Sequence, residues 1–475
     1  MRVLLINPAD PRIQGYHTIG SKIPHLGLQV LAERTPRHHQ VEILDETLGQ
    51  DQTEAAIRSG RYNLVGVTSY TCTVTRAYEI AGLCRSAGVR AILGGPHAWA
   101  CPDEAAAYFD SVAVGECDEI WPGILDDADS GRLEDLYTGG YPPLEAGLGR
   151  AAQHIQPING RYDVAAIQTS RGCPVGCDYC SVTRFNGAQI RRRSIDAIVD
   201  EWNDMPRPFV FVVDDNFFGV GPAHAAWAKE LLHAILRHGR KRLWFSQTSI
   251  NMGDDLEALR LAYRTGCRGM LVGIESFSAD NLKAYHKGLN AANVERYRHL
   301  VGNFHKAGIS VFGAFIIGGE HDTPQTVAET AARAVQIGVD TIQITNLTPL
   351  PGTRMFERLA AEGRIDANHF PEDWRRYAFI ETVFKPALMT ARQLDEAMYH
   401  LRCAAAAENW VWKRTLRTLW NTRSLTTAAF VHGMNKGWKR MARSQVSTDC
   451  HRFGGIIRKH DLDLRLRKAF TMMGA

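Results

Sequence analysis

Val164-Ala-Ala-Ile-Gln-Thr169-Ser-Arg-Gly-Cys173-Pro-Val-Gly-Cys177-Asp-Tyr-Cys180-Ser181 is an apolar run followed at once by three cysteines. The run, Val164–Thr169, reads as a short buried β-strand. The cysteines fall as C-x3-C-x2-C, and Gly172, Pro174 and Gly176 supply the turn chemistry of a loop that wraps a compact ligand. Three thiolates at this spacing suit three corners of a cubane iron–sulfur cluster. No fourth cysteine follows at ligand spacing, which leaves one iron open to another ligand. A structural zinc ion is one alternative, but zinc usually takes four closed ligands as two close pairs, and no second pair is present. Chance clustering of thiols is the other.

Outward from that loop the chain alternates strands and helices. Further strands are expected at Phe209–Val213, Leu243–Gln247, Gly269–Ile274, Ser310–Ile317 and Thr341–Thr345, with helices at 194–203, 222–238, 254–265, 291–307 and 323–337. Six βα units predict an open, partial TIM-type barrel over 161–353 with its site at the carboxyl ends of the strands. The cysteines sit just after the first strand, at that end. Polar groups at the other strand ends become candidates: Asp214, Asp215 and Asn216; Gln247 and Ser249; Glu275 and Ser276; Gly318, Gly319 and Glu320; and Pro349–Thr353. Asp214 and Asp215 fit helix capping as well as they fit ligand contact.

The first 125 residues alternate in the same way, with strands expected at Arg2–Ile6, Gln40–Leu44, Asn63–Val67, Arg90–Leu93 and Asp110–Val114 and helices near 25–35, 51–59, 73–87 and 102–108. That pattern predicts a doubly wound, Rossmann-like parallel sheet, which binds ligands beyond its strand ends. Thr68-Ser69, Gly94-Gly95-Pro96-His97 and Gly115-Glu116 fall there. Adjacent glycines allow a large ligand close approach, or simply make a tight turn. Residues 126–160 are rich in Asp, Gly and Pro and lack periodicity; the domain is drawn at 1–135 and a linker at 136–160. From 354 to 475 the chain reads as mainly helical, with connectors at Phe370–Trp374 and Phe384–Thr390 and one long helix over Ala391–Leu419.

Apolar content of 45% and charged content of 22% are ordinary for a globular protein. No apolar run reaches the length of a membrane span, and a first strand beginning at Arg2 leaves no room for a signal peptide. The seven other cysteines are scattered without paired spacing and read as reduced thiols of a cytoplasmic protein. The whole chain carries +4, but from Val411 onward 14 Lys+Arg face 3 Asp+Glu, so the first 410 residues carry −7. Trp410–Trp420 interleaves Trp and Leu with basic residues. It reads as an amphipathic helix packed on the barrel with a solvated basic face, or as a peripheral membrane contact at an inner membrane face. No nucleic-acid-binding module accompanies the charge.

The cysteine spacing, with Tyr179 just before the last cysteine, resembles the signature of the radical S-adenosylmethionine (SAM) superfamily. The resemblance implies a [4Fe-4S] cluster on Cys173, Cys177 and Cys180, with SAM held on the open iron. It further implies reductive cleavage of SAM to a 5′-deoxyadenosyl radical by an electron from a donor such as flavodoxin or ferredoxin. Gly273-Ile-Glu-Ser276 and Phe315-Ile-Ile-Gly-Gly-Glu320 are similar to SAM-contacting segments of that barrel. Tyr179, Asp214, Gln247, Glu275, Ser276 and Gly318 are the SAM contacts so implied. Pro24-His-Leu-Gly27 with the three strand-end motifs looks like the cobalamin domain fused to many of these enzymes. It implies corrin contacts at Leu26, Gly27, Thr68, Ser69, Gly94, Gly95, His97, Gly115 and Glu116. Such domains that ligate cobalt carry Asp-x-His-x-x-Gly; Gly15-Tyr-His17-Thr-Ile-Gly20 lacks the acid that orients the imidazole, so cobalamin is expected without a histidine ligand. Together these imply methylation of an unactivated carbon of a small-molecule or lipid-like intermediate. One SAM methylates the cobalamin and a second supplies the radical. The alternatives are a relative that makes, contracts or oxidises a ring, and a non-catalytic cobalamin or redox sensor.

Overall fold

The computed structural model describes residues 1–10, 22–146, 149–406 and 408–452. His17 and the last stretch of the basic tail lie outside them.

Strands β1 (Arg2–Asn7), β2 (Gln40–Asp45), β3 (Leu64–Thr68), β4 (Arg90–Gly94), β5 (Ser111–Val114) and β6 (Leu136–Thr138) form one parallel sheet in the order β2-β1-β3-β4-β5-β6. The strand order reverses between β1 and β3, which opens a crevice at the carboxyl ends there. Leu4, Ile6, Val65 and Val67 are buried on one face, and Val3, Leu5 and Leu64 on the other, as continuous apolar runs in parallel strands should be. β6 lies in the stretch expected to be a linker. Its side chains are exposed or half-buried, so no apolar pattern marks it, and backbone pairing with β5 alone makes it a strand. The end of that stretch is pinned down by Ile158 N, which donates to Ile43 O at 2.8 Å, and just beyond it Tyr162 Oη donates to Asp45 Oδ2 at 2.9 Å.

The second half opens with β7 (Ala165–Ile167), then β8 (Ser170–Arg171) and β9 (Arg191–Arg192), an antiparallel pair that brackets the cysteine loop. β10 (Phe209–Val212), β11 (Leu243–Thr248), β12 (Cys267–Glu275), β13 (Ser310–Ile317) and β14 (Thr341–Asn346) follow. They pair in parallel in the order β14-β13-β12-β11-β10-β7, and β7 and β14 do not pair, so the barrel is partial and open. Helices Ile195–Asp204, Pro222–His238, Leu256–Thr265, Tyr297–Lys306 and Pro324–Gln336 cover its outside. Ser194, Asp255 and Thr323 cap three of them by accepting backbone N–H bonds.

The long terminal helix expected over 391–419 is instead Ala391–Ala406 and Glu408–Thr422, and a third helix, Leu425–Arg452, follows. The chain turns at Arg423, φ +51°, and Ser424 Oγ accepts Thr427 N to start the third helix. Phe430 on that helix enters the amino-end mouth of the barrel, 5.8 Å from Phe209 and 5.7 Å from Phe245 between ring centres. The barrel is thus shut at its amino end. The connector around Phe370–Trp374 is a brace: Trp374 stacks on Phe370 at 3.7 Å and donates Nε1 to Glu104 Oε2 of the first domain at 3.0 Å.

Arg193 and Glu201 form a buried ion pair at 2.6 Å, and Glu201 Oε1 also accepts Ala151 N and Gln153 Nε2. Glu201→Ala leaves a buried guanidinium without its anion and should cost about 3–5 kcal/mol. The check is a lower urea midpoint at unchanged far-UV circular dichroism.

Candidate active site

Two acids after β5 meet two arginines of the β8–β9 hairpin. Arg171 Nη1 donates to Glu116 Oε2 at 2.8 Å and to Asp118 Oδ2 at 2.9 Å, and its Nη2 donates to Asp118 Oδ1 at 2.9 Å. Arg191 Nη1 reaches Glu116 Oε2 at 2.9 Å, and Nη2 bonds Glu116 Oε1. Burial pushes the Asp118 carboxyl up, but the Arg171 guanidinium overrides it and holds the group below the ordinary carboxylate range. This knot sets the carboxyl ends of both sheets facing each other across a cavity of about 560 Å³. One side is Leu26, Gly27, Thr68, Tyr70, Gly94, Gly95, Gly115 and Glu116; the other is Gln168, Phe185, Phe211, Val213 and Gln247.

The cysteine loop hangs from β8. Gly172 has φ +95°, and a Cβ there would lie 2.2 Å from Gln189 O, so only glycine fits. Gly172 N donates to Asp215 Oδ2 at 3.0 Å, Cys173 N to Gly187 O at 3.1 Å, and Thr183 Oγ1 to Cys173 O at 2.8 Å. Cys173, Cys177 and Cys180 are each partly exposed and unpaired, on one loop between β8 and β9. Three thiols with no fourth cysteine in the loop suit a cluster with one open iron better than a closed zinc site. Burial pushes all three thiols up, Cys180 to about 12, so a metal must displace protons to bind.

Beside the loop, Glu275 ends β12 with φ +66°, a conformation that strains a non-glycine residue. Its carboxylate pairs with half-buried Lys287, whose Nζ also lies 3.5 Å from Tyr179 Oη. Burial opposes the Lys287 charge, yet Glu275 and Cys177 outweigh it and raise its pKa. Tyr179 meets Tyr285 edge-on at 5.3 Å. Cys177, Tyr179, Glu275 and Lys287 are therefore one cluster. Lys287 carries no sequence signal, because it lies in a turn twelve residues past Glu275.

Other expected contacts are engaged within the chain. Asp214 accepts Thr169 N at 2.6 Å and Ser170 Oγ at 3.0 Å, and burial raises its carboxyl to about 6. Its partner Asp215 holds Gly172, so the acidic pair braces the cysteine loop. Gln247 Nε2 donates to Asp214 O at 2.8 Å and still lines the cavity. Ser276 Oγ accepts Ser278 N at 3.0 Å. Gly318 N donates to Asp322 Oδ2 at 2.9 Å, and a Cβ on Gly318 would strike Leu394 at 2.5 Å, which explains the glycine by packing.

On the first domain, Gly94 faces open space: a Cβ built there meets nothing nearer than Ala113 O at 3.9 Å. His25, at the start of the helix Leu26–Arg34, lines the cavity with Nδ1 buried and unpartnered, beside Tyr70. A glycine-floored hollow with an orphaned acceptor or donor fits a large ligand bearing amide arms. Ser69 and His97 are turned away from the cavity. Ser69 Oγ bonds Tyr70 O, and buried His97 lies between Glu104 and Trp374, holding the brace. Glu116 lines the cavity, but its carboxylate belongs to the knot.

Residues 16–125 match the B12 binding domain model and residues 167–334 the radical SAM superfamily model. A bacteriochlorophyllide d C-8(2)-methyltransferase of Chlorobaculum tepidum is 30% identical over 426 residues, covering 84% of this chain and 89% of that one. The chain belongs to the cobalamin-dependent radical SAM methyltransferases. A hopanoid C-2 methylase of Rhodopseudomonas palustris is 26% identical over 73% of this chain and 66% of its own length. The structure of the radical SAM methyltransferase TsrM from Kitasatospora setae, with cobalamin and a [4Fe-4S] cluster bound, superposes with a TM-score of 0.66. The pair is 17% identical and covers 93% of this chain and 99% of that one. The family's cofactors are SAM, a [4Fe-4S] cluster and cobalamin, and both halves of the cavity fit them.

Gly172→Ala should reduce iron bound after reconstitution to less than about a quarter of wild type, since the loop cannot close around a side chain at that φ. Iron and sulfide assays with the 400 nm-region charge-transfer absorbance are the measure.

Proposed function

We propose that this enzyme methylates an unactivated carbon of a small-molecule or lipid-like biosynthetic intermediate. The observation that carries the reading is the single cavity shared by the glycine floor of the first sheet and the barrel mouth beside the cysteine loop. In this reading Cys173, Cys177 and Cys180 hold the cluster, and Tyr179, Glu275 and Lys287 line the approach to its open iron. Gly94, Gly95 and Tyr70 lie under the corrin. Bound, the cofactors supply a methyl group and a radical able to remove hydrogen from carbon. The chain's own part is to set both beside one substrate carbon and to keep water out, with Phe430 sealing the far end of the barrel. Ring formation or oxidation uses the same parts, but the relatives described above are methyltransferases. An electron donor such as flavodoxin or ferredoxin completes the reaction in the cytoplasm.

The reconstituted enzyme with labelled SAM should pass label to product and add about 14 mass units (roughly one CH₂) per turnover. Cys177→Ala should form no 5′-deoxyadenosine. Deoxyadenosine without label transfer to any acceptor would sink methylation and leave the ring-forming reading.

A second observation bears on where the acceptor is met. Trp412, Leu416 and Trp420 recur every fourth residue along the helix Glu408–Thr422 and are 62%, 62% and 83% exposed, with Leu425 next at 75%. Lys413, Arg417 and Arg423 flank them. No helix among the described residues is long and apolar enough to cross a membrane. An apolar ridge with Trp and basic neighbours suits the interfacial zone of an anionic bilayer. The wild-type protein should co-sediment with vesicles containing phosphatidylglycerol. Trp420→Ser with Leu416→Ser should lower the bound fraction at least threefold while deoxyadenosine formation is unchanged.

A further inference from the structure

A separate cavity of about 90 Å³ lies behind the barrel wall, between β14, the helix Pro324–Gln336 and the C-terminal helices. Its lining is largely apolar, with Ala331, Ile342, Ile344, Met398 and Leu401 among the walls. Yet Arg414 and Trp438 also line it, and Arg414 Nε, Arg414 Nη2 and Trp438 Nε1 are buried with no hydrogen-bond partner. All three are donors. Arg414 is only 3% exposed, and its other nitrogen, Nη1, donates to Val339 O at 3.3 Å and Asp340 O at 3.0 Å. The Trp410 indole covers the guanidinium face, 3.6 Å from ring centre to Cζ.

Nε and Nη2 form the side of a guanidinium that grips a carboxylate through two parallel bonds. The nearby Asp340 carboxylate accepts His305 Nε2 at 2.8 Å, Val311 N at 2.8 Å and Thr418 Oγ1, and neither Nε nor Nη2 of Arg414 bonds it. Burial, and then the charge of Arg417, depress the Arg414 pKa well below its usual value against the opposing pull of Asp340. A buried cation with an empty edge is costly unless something occupies it.

We propose that this cavity binds an aliphatic monocarboxylate, its carboxylate on the Nε–Nη2 edge of Arg414 and its first carbons against Ile342, Ile344 and Leu401. The three unpartnered donors match one carboxylate; Arg402 also lines the cavity, with its Nη2 bonded to Ile380 O. The volume, about that of three water molecules in the liquid, holds the head group and a short stem, so a longer chain emerges from the pocket. The site shares no residue with the catalytic cavity, and its test is independent of methyl transfer.

Isothermal titration of the full-length enzyme, cluster and cobalamin loaded, with butyrate, decanoate and 1-decanol decides it. One decanoate per chain should bind, and decanol at least tenfold more weakly. Arg414→Met should weaken decanoate at least tenfold. Ala331→Phe, which fills the cavity and leaves Arg414 in place, should do the same at an unchanged unfolding midpoint. Butyrate binding as tightly as decanoate identifies a short-chain acid, and affinity rising with length identifies an acyl chain; either supports the site. No binding of any carboxylate, equal binding of decanol, or undiminished binding by Ala331→Phe overturns it and leaves Arg414 as a cap on the carbonyls of Val339 and Asp340.

Discussion

Two arginines of the β8–β9 hairpin and two carboxylates after β5 meet out of water, and the position of everything else at the active site depends on that meeting. The knot is balanced, with two charges of each sign. Such a buried network adds little stability over apolar packing, but it tolerates only one geometry. Each guanidinium is planar and holds its carboxylate at two points, so it fixes angle as well as distance. The two sheets therefore face each other by their carboxyl ends, where parallel sheets place their ligands. A pair of domains joined by apolar contact alone could slide; these cannot without stripping an ion pair.

The remaining boundaries of the reaction chamber come from the C-terminal third. Phe430 stops the barrel at its amino end, and Trp374 returns to Glu104 and His97 on the first domain. The chain thus runs from corrin domain to barrel and back again. A radical mechanism has good physical reason for such closure, since a reactive carbon centre must meet only its intended partner.

The strands of both sheets were legible because fully buried parallel strands are unbroken apolar runs, and the cysteine loop because thiol spacing is directly tied to chemistry. β6 was not, since a pairing made by backbone alone leaves no mark in side chains such as Leu136, which is exposed. Asp214, Glu116 and His97 stood where ligand contacts were expected, at strand ends, but each answers to a neighbour far along the chain: Asp214 to Thr169, Glu116 to Arg191 and His97 to Trp374. Lys287 and Arg171 went unnoticed for the converse reason. Neither sits in a periodic pattern, and each gains its meaning only from what folding brings beside it.

The hairpin that brackets the cysteine loop is the same hairpin that carries Arg171 and Arg191. One short hairpin therefore fixes both the shape of the cysteine loop and the seat of the first domain. Evolution can graft a new acceptor onto this scaffold by changing the cavity walls. It cannot trade the first domain for another family's as a cassette, because the seam between modules runs through the hairpin that holds the cysteine loop.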